Sequence, residues 1–448
     1  MSPLVVRALV CAAFLVFVSG CDDSGGGDPP APDGSLDGGM LADSELPVDL
    51  GPDEGEAVDL GEVDVGPMVD MGMSDRPPCD TMANLGFLAE PEALTGERSF
   101  APRAVFTGTE FGVVWQSPRS ADRNTVWFQR FDMDGGALGS AAEIGVASVP
   151  QHAVGFDGQS YVVAWLAART DESIFDGVRL RSVGADGTPS VAVVDVTDSF
   201  DAEQIAFDWA PFGGGMVLYN RGRNGQAGVY ANSVDEGMTV GPQQRLTASP
   251  AQSPAVVFGD GTWGASWLAR DGEQPAELAF VVLNDAAMMV SDGEVRVRGG
   301  GIGSVYMAYG QGIYAAGWTR QGALGRPEAT LSMFDGGGSP FAGTPLLGPE
   351  GVATVSDLTF VSPDRFVVAW QENRQGGTRV GVSRFDANGL QTAGLALSPP
   401  AGSARLGLAV GGMGSRLSVW FTEDPAPPAV GYSAEARVMS GVLAPCDR

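Results

Sequence analysis

In the stretch "FDGQSYVVAW" (156–165), bulky and small apolar side chains alternate. Tyr161, Val163 and Trp165 fall on one face of an extended chain, and Val162 and Ala164 on the other. The Asp-Gly pair in front of them is hairpin chemistry. The same pattern returns as "FTGTEFGVVW" (106–115), "FGDGTWGASW" (258–267), "YGQGIYAAGW" (309–318), "VSPDRFVVAW" (361–370) and "GGMGSRLSVW" (411–420), with a degenerate copy, "APFGGGMVLY" (210–219). The final residues fall at 115, 165, 219, 267, 318, 370 and 420, a period near 50. Neither face of these strands is polar, so both must be buried. Stacking one copy on the next achieves that, with the bulky face of each against the small face of its neighbour. The Trp series therefore reads as packing.

Each copy carries the same further signals. A short apolar strand precedes the hairpin, as at Ala255–Phe258. A polar loop and a third strand follow, ending in "RFDMDG" (130–135), "SVGADG" (182–187) or "RFDANG" (384–389). A weaker fourth strand closes the unit, as at Val191–Val196. Four short antiparallel strands per unit, seven times over, predict an all-β chain: a seven-bladed β-propeller of four-stranded antiparallel blades over 79–448. The last unit stops after its third strand (431–441), while "LGFLAEPEALTG" (85–96) reads as a fourth strand with no preceding three. The N-terminal strand is thus expected to complete the last blade. The copies lack the glycine doublet of kelch blades and the dipeptide of WD repeats, and "GDGTW" (259–263) is only a degenerate match to the Asp-box of sialidases.

The N-terminus changes the picture. Arg7, an apolar run from Ala8 to Val18 and "VSGC" (18–21) form a secretory signal over 1–20 that is too short to span a membrane permanently. Its ending resembles the lipobox of bacterial lipoproteins, and that resemblance implies a diacylglyceryl thioether and acyl chains, such as palmitate, on Cys21. The chain as a whole resembles lipid-anchored propeller lipoproteins of unassigned function. The resemblance implies a cell-envelope location, with the lipid bilayer as a partner through Cys21 and the outer membrane or cell surface favoured over the inner membrane. Asp22 and Asp23 leave the leaflet open. Residues 22–78 hold 16 acidic side chains, one arginine and no aromatic residue. That composition predicts a disordered, self-repelling tether.

Charge and cysteines narrow the function classes. The chain has 448 residues, a net charge of −29, no lysine and a single histidine, His152. Such acidity excludes nucleic acid as a general partner. Cys11 leaves with the signal and Cys21 is the lipidation site, which leaves Cys79 and Cys446. Closure of the last blade by the N-terminal strand would bring these two together, and export permits a disulfide between them. No nucleotide loop, nucleophile elbow or metal-ligand cluster is present, so no cofactor, no metal and no enzymatic activity are expected. One pattern points to a ligand. Arg119, Arg169, Arg221, Arg270, Arg320 and Arg374 each follow the strand-ending aromatic by two to four residues. The loops that hold them should open on one rim, together with His152. An arginine-rich rim suits an anionic glycan or a protein partner, since guanidinium binds carboxylate or sulfate bidentately. The same loops hold Asp122, Asp171, Glu172, Asp271, Glu273, Glu372, Glu423 and Asp424, so local ion pairing competes with that reading. A hydrolase or lyase on the same ring would need carboxylates, or a Tyr with an acid, converging at the channel mouth. A role in envelope-protein assembly is a third possibility.

Overall fold

The computed structural model describes residues between Leu85 and Pro445, except 88–91, 97, 168–176, 198–201, 212, 223–225, 323–324, 347–352, 362–363, 375–376, 398–403, 414–415 and 426–432. Cys21, the tether, Cys79, Cys446 and Arg169 lie outside the described residues. Among those described there is no α-helix, and no helix is long and apolar enough to cross a membrane.

The chain folds into antiparallel sheets of sequentially ordered strands. Four sheets have four strands each, beginning with Ala202–Trp209, Ala251–Gly259, Gly301–Gly310 and Thr354–Val361. A seven-stranded sheet precedes them because the 20-residue strand Ala137–Phe156 belongs to two repeats. Its first half pairs with Arg123–Phe131, from Phe131↔Ala137 to Asn124↔Ala147, and its second half with Tyr161–Ala167, from His152↔Trp165 to Phe156↔Tyr161. The last sheet joins the chain ends: Leu85–Phe87 and Glu92–Ala93 pair with Arg437–Pro445, Leu85 opposite Pro445.

The first strands of the repeats contact one another in succession. Phe100–Phe106 touches Ala137–Phe156, and the series runs on through Ala202–Trp209, Ala251–Gly259, Gly301–Gly310 and Thr354–Val361 to Ala404–Met413, which touches Phe100–Phe106 again. Repeated antiparallel sheets packed around their own first strands are β-propeller architecture.

Side-chain alternation drives the stacking. Tyr161, Val163 and Trp165 pack with Val114, Val126 and Phe128 of the preceding repeat, while Val162, Ala164 and Leu166 pack with Ile205, Phe207, Trp209 and Tyr219 of the following one. Trp263 and Trp267 likewise meet Met216 and Leu218, and Trp318 meets Leu268 and Phe280. The repeat's first aromatic also reaches backward by hydrogen bond: Tyr161 Oη donates to Glu110 at 2.5 Å and Tyr314 Oη to the Gly259 carbonyl at 2.8 Å.

Trp420 departs from the expected register. It packs with Phe111, Val113 and Trp115 of the first repeat, whereas Leu417, Val419 and Phe421 face Val367 and Ala369 of the sixth. Phe421, one residue later, fills the place of Trp165, because a one-residue offset along a strand exchanges its faces.

The small faces are small for a reason. A Cβ at Gly112 would lie 2.4 Å from Tyr161 Cε1, and one at Gly264 2.5 Å from Tyr314 Cδ1. Gly112→Val and Gly264→Val should each lower unfolding free energy by about 1–3 kcal/mol, the usual cost of overpacking, read as a shift in urea midpoint. A midpoint equal to wild type would refute this interlock.

Two local devices repeat around the molecule. The turn between third and fourth strands is built on an acceptor side chain: Asp132 Oδ1 accepts from Asp134 N (2.9 Å) and Gly136 N (2.7 Å), and Asp386 Oδ1 from Asn388 N (2.9 Å) and Leu390 N (2.8 Å). Asn284 and Asp335 do the same. The Asp132 and Asp386 carboxylates therefore serve their own turns. Every first strand is also bulged near its start, for example between Phe100 and Arg103, between Ala202 and Gln204, and between Val355 and Asp357. Such bulges re-aim side chains toward the axis.

Candidate functional site: the axial cavity

Six of the first strands line one cavity of ≈ 180 Å³, with Arg103, His152, Gln204, Ser253, Tyr306 and Asp357 on its wall. Most of these follow or sit in the bulges just described. The Arg103 guanidinium lies over the Tyr306 ring, its Cζ 5.3 Å from the centroid, and Nη1 donates to the Pro102 carbonyl at 3.3 Å. Its charge is felt by both His152 and Asp357.

Asp357 is held at the wall by two backbone donors: Leu358 N to Oδ1 at 2.9 Å, and Val410 N of the next repeat to Oδ2 at 3.0 Å. Burial pushes its carboxyl up to about 6, against the opposing pull of Arg103 and the two amides. Asp208, nearer the other end of its strand, is anchored alike by Trp209 N (2.9 Å) and Phe258 N (2.8 Å), and burial also lifts it to about 6.

His152 is buried and fully engaged. Its Nε2–H donates to the Ala101 carbonyl at 2.7 Å, so Nδ1 is the acceptor for Gln116 Nε2 at 2.9 Å. Ala101 has φ +54°, a left-handed residue in the first repeat's bulge, and the imidazole satisfies the carbonyl that the bulge leaves over. Ser253, itself at φ +56°, does the same for the Gly303 carbonyl (2.6 Å). Burial, and then the Arg103 charge, lower the imidazole to about 3. His152 is thus a neutral clip between repeats at this pH range.

The described loop arginines lie at the same end of the strands as this cavity, because the second strands run back toward the starts of the first: Arg221 is opposite Ala202 and Arg320 opposite Gly301. They do not converge on one point. Arg119 pairs with Glu143 at 2.8 Å and Arg320 with Glu328 at 3.0 Å, each within its own repeat. Arg221 is buried, its Cζ 4.5 Å from the Tyr230 ring centroid, with Nη1 donating to Gln226 at 2.9 Å. Arg270 is exposed. Arg374 ends the strand Arg365–Arg374. Among the described residues no group of three His, Cys, Asp or Glu side chains could hold a metal ion.

Arg103, Tyr306 and Asp357 were not singled out from sequence. The signal was present, as an ionisable residue inside an otherwise apolar first strand ("FAPRAVF", 100–106).

No family model matches the sequence, and no curated protein matches it. Solved structures do. The chain is similar to the polysaccharide lyase Uly1, with TM-score 0.50 and 10% identity over 78% of this chain and 90% of that one. It is also similar to the β-propeller domain of the Trilobed protease from Pyrococcus furiosus, with TM-score 0.47 and 10% identity over 80% of this chain and 97% of that one. The acylaminoacyl peptidase of Pyrococcus horikoshii follows, with TM-score 0.47 and 12% identity; the match covers 76% of this chain and 52% of the peptidase. These are likenesses of fold.

Proposed function

We propose that this chain is a non-enzymatic, lipid-anchored binding protein of the cell envelope, on the outer membrane or cell surface. Cys21 carries the acyl chains, residues 22–78 form the acidic tether, and 79–448 form a closed seven-bladed ring. The ring reading is supported by the circuit of first-strand contacts and by seven hydrophobic clusters, each joining neighbouring repeats. A Cys79–Cys446 disulfide fastens it; Leu85 opposite Pro445 supports this, since both chain ends leave that sheet at the same end.

The ligand we assign to the axial cavity is an anionic end-group, the carboxylate or sulfate of a glycan. The observation that carries this is Arg103, a guanidinium on the wall of a cavity walled by six repeats. At ≈ 180 Å³ the space is below the 300–1,000 Å³ of a typical small-molecule site, so it suits one end-group with the rest of the chain outside. The bidentate geometry of guanidinium suits that group. Arg119, Arg270 and Arg320 at the same end steer anions without holding them.

The test is a glycan array probed with the full chain at two salt concentrations. Acidic glycans should bind, more weakly at high salt, and Arg103→Gln should lose about 10–100-fold in affinity, the worth of a charge-assisted hydrogen bond. No salt-sensitive hit, or an Arg103→Gln that binds as wild type, overturns the proposal. One observation favours a glycan-active alternative: Tyr306 and Asp357 share the cavity with Arg103. Release of unsaturated or reducing ends from an acidic polysaccharide, abolished by Asp357→Asn, would establish it in place of binding alone.

A further inference from the structure

At the far ends of the first strands the molecule has a second cavity, of ≈ 600 Å³, with the opposite character. Aromatic residues from five successive repeats wall it: Phe106, Phe156, Trp209, Phe258 and Tyr309. Most are propped in place by the aromatic that opens the next strand, with ring centroids 4.8 Å apart for Phe106–Phe111, 5.0 Å for Phe156–Tyr161, 5.0 Å for Phe258–Trp263 and 4.7 Å for Tyr309–Tyr314. The recurrence explains why aromatics stand there; it does not explain the charges among them.

Two carboxylates share this wall, Asp208 and Asp260, and no basic residue lines it. Both oxygens of Asp208 accept from backbone amides, Trp209 N and Phe258 N, and no cation stands among the influences on its charge. Asp260, in a turn at φ +51°, acts on the Tyr309 hydroxyl. Asp208 is half-buried; a carboxylate partly withdrawn from water on a wall with no basic residue is costly, and a cation that enters relieves the cost. Aromatic faces attract cations through their quadrupoles, most strongly where water is excluded. The volume lies within the range of small-molecule sites.

We propose that this end of the axial channel binds an organic cation, an alkylated ammonium head group, between the aromatic wall and the Asp208 and Asp260 carboxylates. The site is separate from the Arg103 cavity, and neither depends on the other.

Titration calorimetry of the full chain in detergent, with choline and its uncharged carbon isostere 3,3-dimethylbutan-1-ol, tests it. Choline should bind saturably and at least about tenfold more tightly than the isostere, since the two differ only in charge. Asp208→Asn and Tyr309→Leu should each weaken choline about tenfold, and lowering the pH from 7 to 5 should weaken it in the wild type as Asp208 takes up a proton. Arg103→Gln should leave choline binding unchanged. If Asp208→Asn fails to fold, Asp260→Asn, in an exposed turn, and the wild-type pH series carry the same test. Absence of saturable choline binding, equal affinity for the two probes, or indifference to both carboxylate substitutions and to pH would each overturn the proposal.

Discussion

Loss of the proposed Cys79–Cys446 bridge should destabilise the propeller more than any other single change considered. Cross-linking these residues would close a loop of 368 residues, and chain-entropy models assign about 6 kcal/mol to such a loop as an upper figure. The fold explains why the effect would be felt. The only described strands that tie the N-terminus into the last sheet are Leu85–Phe87 and Glu92–Ala93, three and two residues long. Their pairing with Arg437–Pro445 is a brief ladder at a sheet edge, and such edges fray. The first and last repeats otherwise meet through Phe111, Trp115, Trp420 and their neighbours. Cys446→Ser, or wild type with reductant, should show a lower urea midpoint, and reductant should not shift the variant further. Labelling two thiols per chain in the absence of reductant, or superimposable unfolding curves, would dispose of the bridge.

How far the sequence reached can be read from four residues. Trp165 was legible: two apolar faces of unequal size require neighbours on both sides, and the structure supplies them. Trp420 was not, because "RLSVWF" keeps the apolar alternation whichever residue is taken as the anchor, and only the pairing shows that Phe421 has the place of Trp165. His152 stood out as the sole histidine, yet its role depends on Ala101, 51 residues earlier, and on a left-handed backbone angle that no pattern announces. Arg103 was the reverse case. It was one arginine among many, and its significance lies in a bulge and in Tyr306 and Asp357, contributed by distant repeats. Periodicity reports which residues repeat. The charged groups on the axis, Arg103 and Asp357 among them, are residues that do not.

The buried titratable groups predict an unusual acid profile. Asp208 and Asp357 are lifted from 3.8 to about 6, so the stability they supply is complete below the unfolded value and is lost as the pH rises through about 6. Going from pH 7 to 5, each should return about 1.4 kcal/mol, near 1.4 kcal/mol per tenfold change in proton affinity, or about 3 kcal/mol together. His152 acts the other way. Its imidazole is lowered from 6.5 to about 3, so its contribution is present above 6.5 and falls away with acidification, by about 2 kcal/mol between pH 6.5 and 5. Glu110, held below its usual range by Arg130, stays ionised in the folded state across this window and adds little to the slope. The opposing effects nearly cancel, and the wild type should hold its unfolding free energy to within about 1 kcal/mol from pH 7 to 5. His152→Gln exposes the carboxylates, since glutamine can still accept from Gln116 and donate to the Ala101 carbonyl. That variant should gain about 3 kcal/mol on acidification, and the Asp208→Asn, Asp357→Asn pair should lose about 2 kcal/mol. Urea titrations at pH 7, 6 and 5 measure all three slopes. Parallel profiles for wild type and His152→Gln would mean that the imidazole titrates freely, and the clip between the first two repeats would then have to be redrawn.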